Sequence, residues 1–244
     1  MSIDIHHPPT ALEQLVYPES DGQPMADNTL QFRWIVIIKE NLETLFQQRP
    51  DVFVAGDLLW YPVEGRPDIR RAPDAMVVFG RPKGDRGAYL QWKEAHIAPQ
   101  VVFEVLSPGN TPSEMARKLL FYQQYGVVEY YLYDPDTNTL HGWLRQDEQL
   151  LPIPTMAGWV SPRLGMRFDL SGPVLVLYSP DGERFLSHSE LHSQRNTERS
   201  RAEQERSRAE QERSRAEQAE QRAERLAARL RELGIDPNDM QGQV

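Results

Sequence analysis

The chain has 244 residues, no cysteine, 39% hydrophobic residues and 27 basic against 36 acidic side chains, for a formal charge of -9. Without a thiol there is no disulfide framework, Cys-ligated zinc, iron-sulfur cluster or cysteine nucleophile, and the expected address is cytoplasmic. The longest apolar runs, WIVII at 34–38 and VVFEVL at 101–106, fall far short of the roughly 20 residues a membrane helix needs, and residues 1–10 predict no signal peptide.

Composition predicts three segments: a polar, Pro-bearing lead over 1–27, one domain with a real core over 28–195, and a charged helical tail over 196–244. Acids and bases nearly balance in the tail, so almost all of the negative charge belongs to the domain. Within it, Leu30, Trp34, Ile37, Ile38, Asn41 and Leu45 recur at near-helical spacing, and Asp27 or Asn28 can cap the start, which predicts a helix over 28–48. The runs VFVAGDLLWYP from 52, DAMVVFG from 74, QVVFEVLS from 100 and EYYLYD from 129 are β-branched and aromatic, bounded by Gly, Pro and Asp, as strands are. Between the last two, Thr111-Pro112-Ser113-Glu114 is a capping box with Pro at the first helical position, and Gly126 stands where a left-handed C-cap belongs. Beyond Pro135, TLHGWLR, QLLPI, GMRFDL and VLVLYS predict further antiparallel strands. The fold class is mixed α/β, or α+β.

The informative residues are acids inside apolar runs. Glu104 interrupts VVFEVL; in a central strand its carboxylate leaves water at a cost of several kcal/mol unless it is paired, protonated or metal-bound. Asp74 opens the preceding long strand, so pairing of the two strands brings both carboxylates to one end of the sheet, an oxygen site for a hard divalent cation. Lys118 falls between Met115 and Tyr122 on the apolar stripe of the next helix and is expected to point at the sheet, whereas Arg117, about 100° away, can face solvent. Plainer readings exist for each: an Asp after Pro is often a turn residue, and a helical Lys can lay its stem over apolar surface. Asp57 is a third acid in an apolar run, either a metal ligand or a turn or bulge residue. Glu40 and Glu43 fit a solvated helix face better than the site. His188 and His192 are four apart but lack a third ligand, and no zincin, nucleophile-elbow or Walker motif is present.

Asp74 after Pro73, Glu104 in EVLSP, Lys118 on a helix, and then YGVVEYYLYDPD from Tyr125 resemble, in this order and spacing, the Uma-type restriction endonuclease family. That family is a branch of the PD-(D/E)XK nuclease superfamily, and the resemblance spans roughly residues 20 to 190. It implies a restriction-endonuclease-like core, a central mixed sheet flanked by helices, and a DNA endonuclease that uses Mg2+ or Mn2+. Metal-binding Asp and Glu map onto Asp74 and Glu104. The superfamily places its Lys two residues after the Glu, where this chain has Leu106; Lys118 is the candidate for that role.

A negative domain is an unusual partner for nucleic acid, since affinity comes largely from phosphate neutralisation. Charge is uneven, however: between Arg66 and Arg86 there are six basic residues against three acids. Arg81, Lys83 and Arg86 in the Gly-containing loop after the Asp74 strand are candidate nucleic-acid contacts; a plain solvated hairpin explains them equally well. An alternative from another class is a catalytically inactive nuclease-fold module that associates through its tail, as a homodimer. The tail repeats ERSRAEQ from Glu198, Glu205 and Glu212. Heptads suggest a coiled coil, but Glu205 and Glu212 occupy the second seam position, so a charged single helix from about Glu198 to Leu233, stopped by Gly234 and Pro237, is expected. Deleting everything after 195 is expected to leave the melting temperature and activity of the domain nearly unchanged, as thermal melts of the truncated chain can check.

Overall fold

In the computed structural model of the chain, the residues described are 15–20, 22, 24–186 and 188–232, without the side chains of 188, 189 and 191. The expected lead before residue 15 and the expected stop at Gly234 and Pro237 lie outside them. The chain divides into two compact units, Met1–Leu186 and Ser187–Val244.

The first unit opens with helix α1, Thr29–Leu45. Its start is fixed by Asn28, whose side chain accepts hydrogen bonds from the amides of Leu30 and Gln31, two donors that the first turn cannot satisfy internally. Strands β1 (Val52–Ala55) and β2 (Trp60–Tyr61) follow, then β3 (Ala75–Phe79), β4 (Tyr89–Leu90) and a single 3-10 turn at Gln91–Lys93. The run from 52 to 61, expected as one strand, is broken because Asp57 takes a left-handed φ of 49°, a conformation in which a strand cannot continue.

After β5 (Val101–Val105) comes helix α2, Pro112–Gln124. Thr111 caps it by accepting from the Glu114 amide, and Gly126 takes the left-handed φ of 93° that ends it. Then come β6 (Glu129–Asp134), β7 (Thr139–Gln146), β8 (Gln149–Pro152), β9 (Arg167–Asp169) and β10 (Val176–Tyr178).

Six strands form a mixed sheet in the order β1-β3-β5-β6-β7-β8, in which β5 and β6 are parallel and joined by α2, and the other neighbours are antiparallel. Strands β9 and β10 form an antiparallel pair, and β2 and β4 a short parallel one.

Alternation along the strands sends side chains to opposite faces. Val77, Val101, Phe103, Val105, Tyr131 and Tyr133 pack in one buried cluster with Trp34, Ile35, Ile38 and Leu42 of α1. Met76, Val78, Val102, Tyr130 and Leu132 pack in another with Tyr122 of α2. Each such side chain, fully buried, contributes about 1.5–3 kcal/mol, so both faces of the central strands must be covered for the sheet to form. Position 104 belongs to the second series, and so does position 74 by register.

The second unit is one helix, α3, from His188 to Glu232, about 67 Å long at 1.5 Å per residue. It begins ahead of the expected start near Glu198, because the polar stretch before the heptads is itself helical. Ion pairs at helical spacing support it, Arg199 with Glu203 and Arg213 with Glu217, each contributing a few tenths of a kcal/mol. No helix is long and apolar enough to cross a membrane among the described residues.

Candidate active site

The antiparallel register of β3 and β5 pairs Ala75 with Phe103, so Asp74 stands opposite Glu104 one step further along. Both carboxylates then project from the face covered by α2. The structure brings the three expected residues together there. Lys118 reaches down from α2 and donates to Glu104 Oε2 at 2.8 Å. Tyr122, one turn further along α2, donates its hydroxyl to Glu104 Oε1. Asp74 Oδ2 accepts from the Val105 amide at 2.6 Å. Glu104 is 2% exposed and Asp74 8%, which places both well inside the region where an unpaired charge is costly.

Electrostatics follow from this burial. Burial, then the charge of Glu104, pushes the Asp74 carboxyl well above its usual range; Lys118 and the Val105 amide oppose the shift without cancelling it. Burial acts to lower the Lys118 ammonium, but the charges of Glu104 and Asp74 outweigh it and raise its pKa, so Lys118 stays a cation. Burial and Glu104 also hold the Tyr122 hydroxyl in its protonated form, as a donor.

The raised Asp74 value has a testable sign. From about pH 4 upward the native state binds more proton at Asp74 than the unfolded state does, so this contribution is full in acid and is lost as pH rises through the folded value. Without divalent metal, Asp74→Asn is therefore expected to gain melting temperature on the parent as pH rises above the ordinary carboxylate range of about 4. Parallel melting curves for the two proteins would contradict it.

Asp74 and Lys118 line an open cleft of about 810 Å³, together with Asp57, Arg70, Arg71 and Arg117. Glu104 does not line it and meets it through Lys118, to which it is bonded. Asp57 sits at the turn after β1, its amide donating to the Pro73 carbonyl at 3.0 Å, and its charge adds to the upward pressure on Asp74. It is thus a turn residue that also faces the cleft. Arg117 is exposed, as expected, yet contributes to the cleft wall.

Other candidates lie elsewhere. Glu40 and Glu43 pair with Lys39 on the exposed side of α1 at 3.1 and 2.8 Å. His192 Nδ1 lies 3.1 Å from the Asn196 amide group, while the His188 side chain is outside the described residues. Arg81 and Arg86, expected to meet nucleic acid, both bind Glu94 at 2.7 Å, and Arg86 stacks over Phe53 at 3.9 Å. With Lys83, Arg86 lines a different hollow, beside Lys39 and Glu43. Their loop is held by its own ion pairs.

Three features were not foreseen. Tyr122 is the second donor to Glu104, detectable only as the residue four after Lys118. Gln31, buried on α1, donates to the Val105 carbonyl at 2.9 Å and accepts from the Asp27 amide at 2.8 Å, so it braces the residue whose amide binds Asp74. Glu129, wholly buried in β6, accepts from the Tyr131 hydroxyl at 2.8 Å, the Arg163 amide at 2.7 Å and the Ser161 hydroxyl. The same signal that marked Glu104, an acid in an apolar run, marks Glu129.

No group of three His, Cys, Asp or Glu able to hold a metal occurs among the described residues. The donor set still fits a hard divalent cation: it is all oxygen, and two buried carboxylates face one ammonium. Mg2+ commonly takes one or two carboxylates and fills its remaining positions with water and substrate phosphate.

Comparison with known proteins places the chain in a family. A family model, Uma2, described as "Putative restriction endonuclease", matches residues 21–175, a span that contains Asp74, Glu104 and Lys118. Among solved structures, the chain is similar to a "putative nuclease belonging to DUF820" from Anabaena variabilis, at 16% identity and a TM-score of 0.43, over 57% of this chain and 74% of that one. No curated protein matches.

Proposed function

Because the chain belongs to the Uma2 family, whose description supports a nuclease-type function, we propose that it is a Mg2+- or Mn2+-dependent endonuclease that hydrolyses phosphodiester bonds of DNA. The observation that carries this reading is the convergence of three side chains: Asp74 and Lys118 line one cleft, and Lys118 is held 2.8 Å from Glu104, which stands opposite Asp74 in the sheet.

Asp74 and Glu104 would hold the cation, and what it supplies when bound is Lewis acidity toward a phosphoryl oxygen and a water more easily deprotonated. The chain's own groups do the rest. The Val105 amide fixes one oxygen of Asp74, and Gln31 holds the carbonyl of the same residue. Tyr122 and Lys118 set the orientation of Glu104. Lys118 stays protonated, so it acts as a charge beside the developing negative phosphoryl oxygens and not as a proton acceptor. Leu106, at the place where the superfamily carries its Lys, supplies no charge, and Lys118 takes that role from the helix.

Chelation with EDTA is expected to stop plasmid nicking. Added Mg2+ is expected to raise the melting temperature of the parent and to do so far less for Asp74→Asn. A parent that nicks equally well in EDTA would overturn the proposal.

A further inference from the structure

The arginines of the first unit fall into two groups. Six are spent on the protein itself: Arg49 on Asp51, Arg66 on Asp68, Arg81 and Arg86 on Glu94, Arg167 on Asp169, and Arg145 on the carbonyls of Val127 and Gln123. Arg70, Arg71 and Arg117 form no ion pair among the described residues, and all three line the cleft that holds Asp74 and Lys118. Arg33 and Arg163 also lack an ion pair but do not line it.

Two of the three are anchored, and the third is exposed on the same wall. Arg70 Nη1 donates to the Pro67 carbonyl at 2.8 Å, which anchors one edge of its guanidinium and leaves the other donors unspent. Arg71 Nη1 donates to the Arg70 carbonyl at 3.0 Å, its carbon centre lies 5.4 Å from the Phe121 ring, and its backbone is bonded to Trp60 in both directions. Arg117 stands one residue before Lys118 on α2. Acids share this cleft, so the case for the arginines is their available guanidinium forks and not a net positive charge: Asp68 is committed to Arg66, while Asp27 and Asp74 line the cleft beside them. Asp57 and Glu114 also face it.

A guanidinium offers five donors in a planar fork that matches a phosphate. We infer that Arg70, Arg71 and Arg117 form the backbone-binding wall of this cleft, contacting the phosphates on either side of the one placed at Asp74 and Lys118, and that the loop carrying Arg81, Lys83 and Arg86 does not bind the substrate. This inference rests on the nuclease reading for its substrate class, a polyanionic nucleic-acid strand, but makes a separate claim about binding.

The test is binding of a fluorescently labelled DNA duplex to the full chain, by anisotropy in EDTA and again in Ca2+, between about 50 and 200 mM salt. Each phosphate contact contributes about 0.9 to the slope of log affinity against log salt, so the variant Arg70→Gln/Arg71→Gln/Arg117→Gln should lose about 2.7 of that slope. Arg117→Glu alone, an exposed change with no structural bond to break, should weaken binding at low salt by at least about tenfold. Lys83→Ala should leave the slope unchanged. The wall is disproved if the triple variant and Arg117→Glu keep the parent's slope and affinity, if Lys83→Ala removes slope instead, or if the parent binds no DNA. Nicking separates the two claims. A parent that cleaves while the arginine variants bind normally removes the wall and keeps the nuclease; a parent that binds with the expected slope losses but never cleaves keeps the wall and removes the nuclease.

Discussion

Replacing Lys118 with Met is expected to cost the metal-free protein about 3–5 kcal/mol, read as a fall in melting temperature of roughly 6–20 °C for a domain of this size. The reason is the imbalance left behind. Glu104 is 2% exposed and, among the described residues, pairs with one cation, Lys118, at 2.8 Å, so the substitution strands a buried carboxylate beside a second one at Asp74. Removing one partner of a buried pair costs far more than the pair itself contributes. Mg2+ should restore part of the lost stability, because a cation at the carboxylates replaces the missing charge. It should not restore turnover, which is expected to fall by about 10²–10³ with the loss of charge stabilisation at the phosphoryl oxygens. A Lys118→Met protein that melts with the parent in EDTA would show that Glu104 does not depend on this pair.

A comparable loss of stability with a different functional signature is expected at Glu129. Glu129→Ala leaves the Tyr131 hydroxyl, the Ser161 hydroxyl and the Arg163 amide without their acceptor in a site with no exposure. Each buried donor left unmade costs about 1–3 kcal/mol, so the sum is on the order of 3–5 kcal/mol after relaxation. Glu129 does not line the cleft, and Mg2+ is therefore expected to rescue none of this loss. Thermal melts with and without Mg2+ separate the two acids: rescue at Lys118→Met and none at Glu129→Ala. Equal rescue in both would mean that the metal acts elsewhere.

Glu104 and Glu129 also show how far the sequence could be read. Both are acids within β-branched or aromatic runs and both are buried, although Glu104 alone was singled out from the sequence. What separates them is the company brought from afar. Lys118 and Tyr122 come to Glu104 from α2, and their helical spacing makes Lys118 legible. Ser161 and Arg163 come to Glu129 from a loop 32 and 34 residues away, which no local pattern encodes.

Elements were legible where local chemistry dictates them. Asn28 and Thr111 cap the helices that they were expected to start, Gly126 ends the second, and EYYLYD is a strand over its full length. The two-residue strands β2 and β4 were not, since they exist only by pairing with each other. The pairing within the basic loop was hidden for the same reason: Arg81 and Arg86 look available in the sequence until Glu94, 13 and 8 residues on, folds back between them. Arg70 and Arg71 were visible as charge, but their place on the wall with Asp74 follows from the turn that β1 makes at Asp57.

The most direct test of the account is supercoiled plasmid nicking by the parent, Asp74→Asn and Glu104→Gln, each in Mg2+ and in EDTA, with folding confirmed by thermal melts. Both substitutions keep the side-chain shape and remove a charge from the pair. The account predicts nicking by the parent in Mg2+ alone and a loss of at least about a hundredfold in each variant. Variants that nick as fast as the parent would contradict it and leave the cleft a binding site without chemistry.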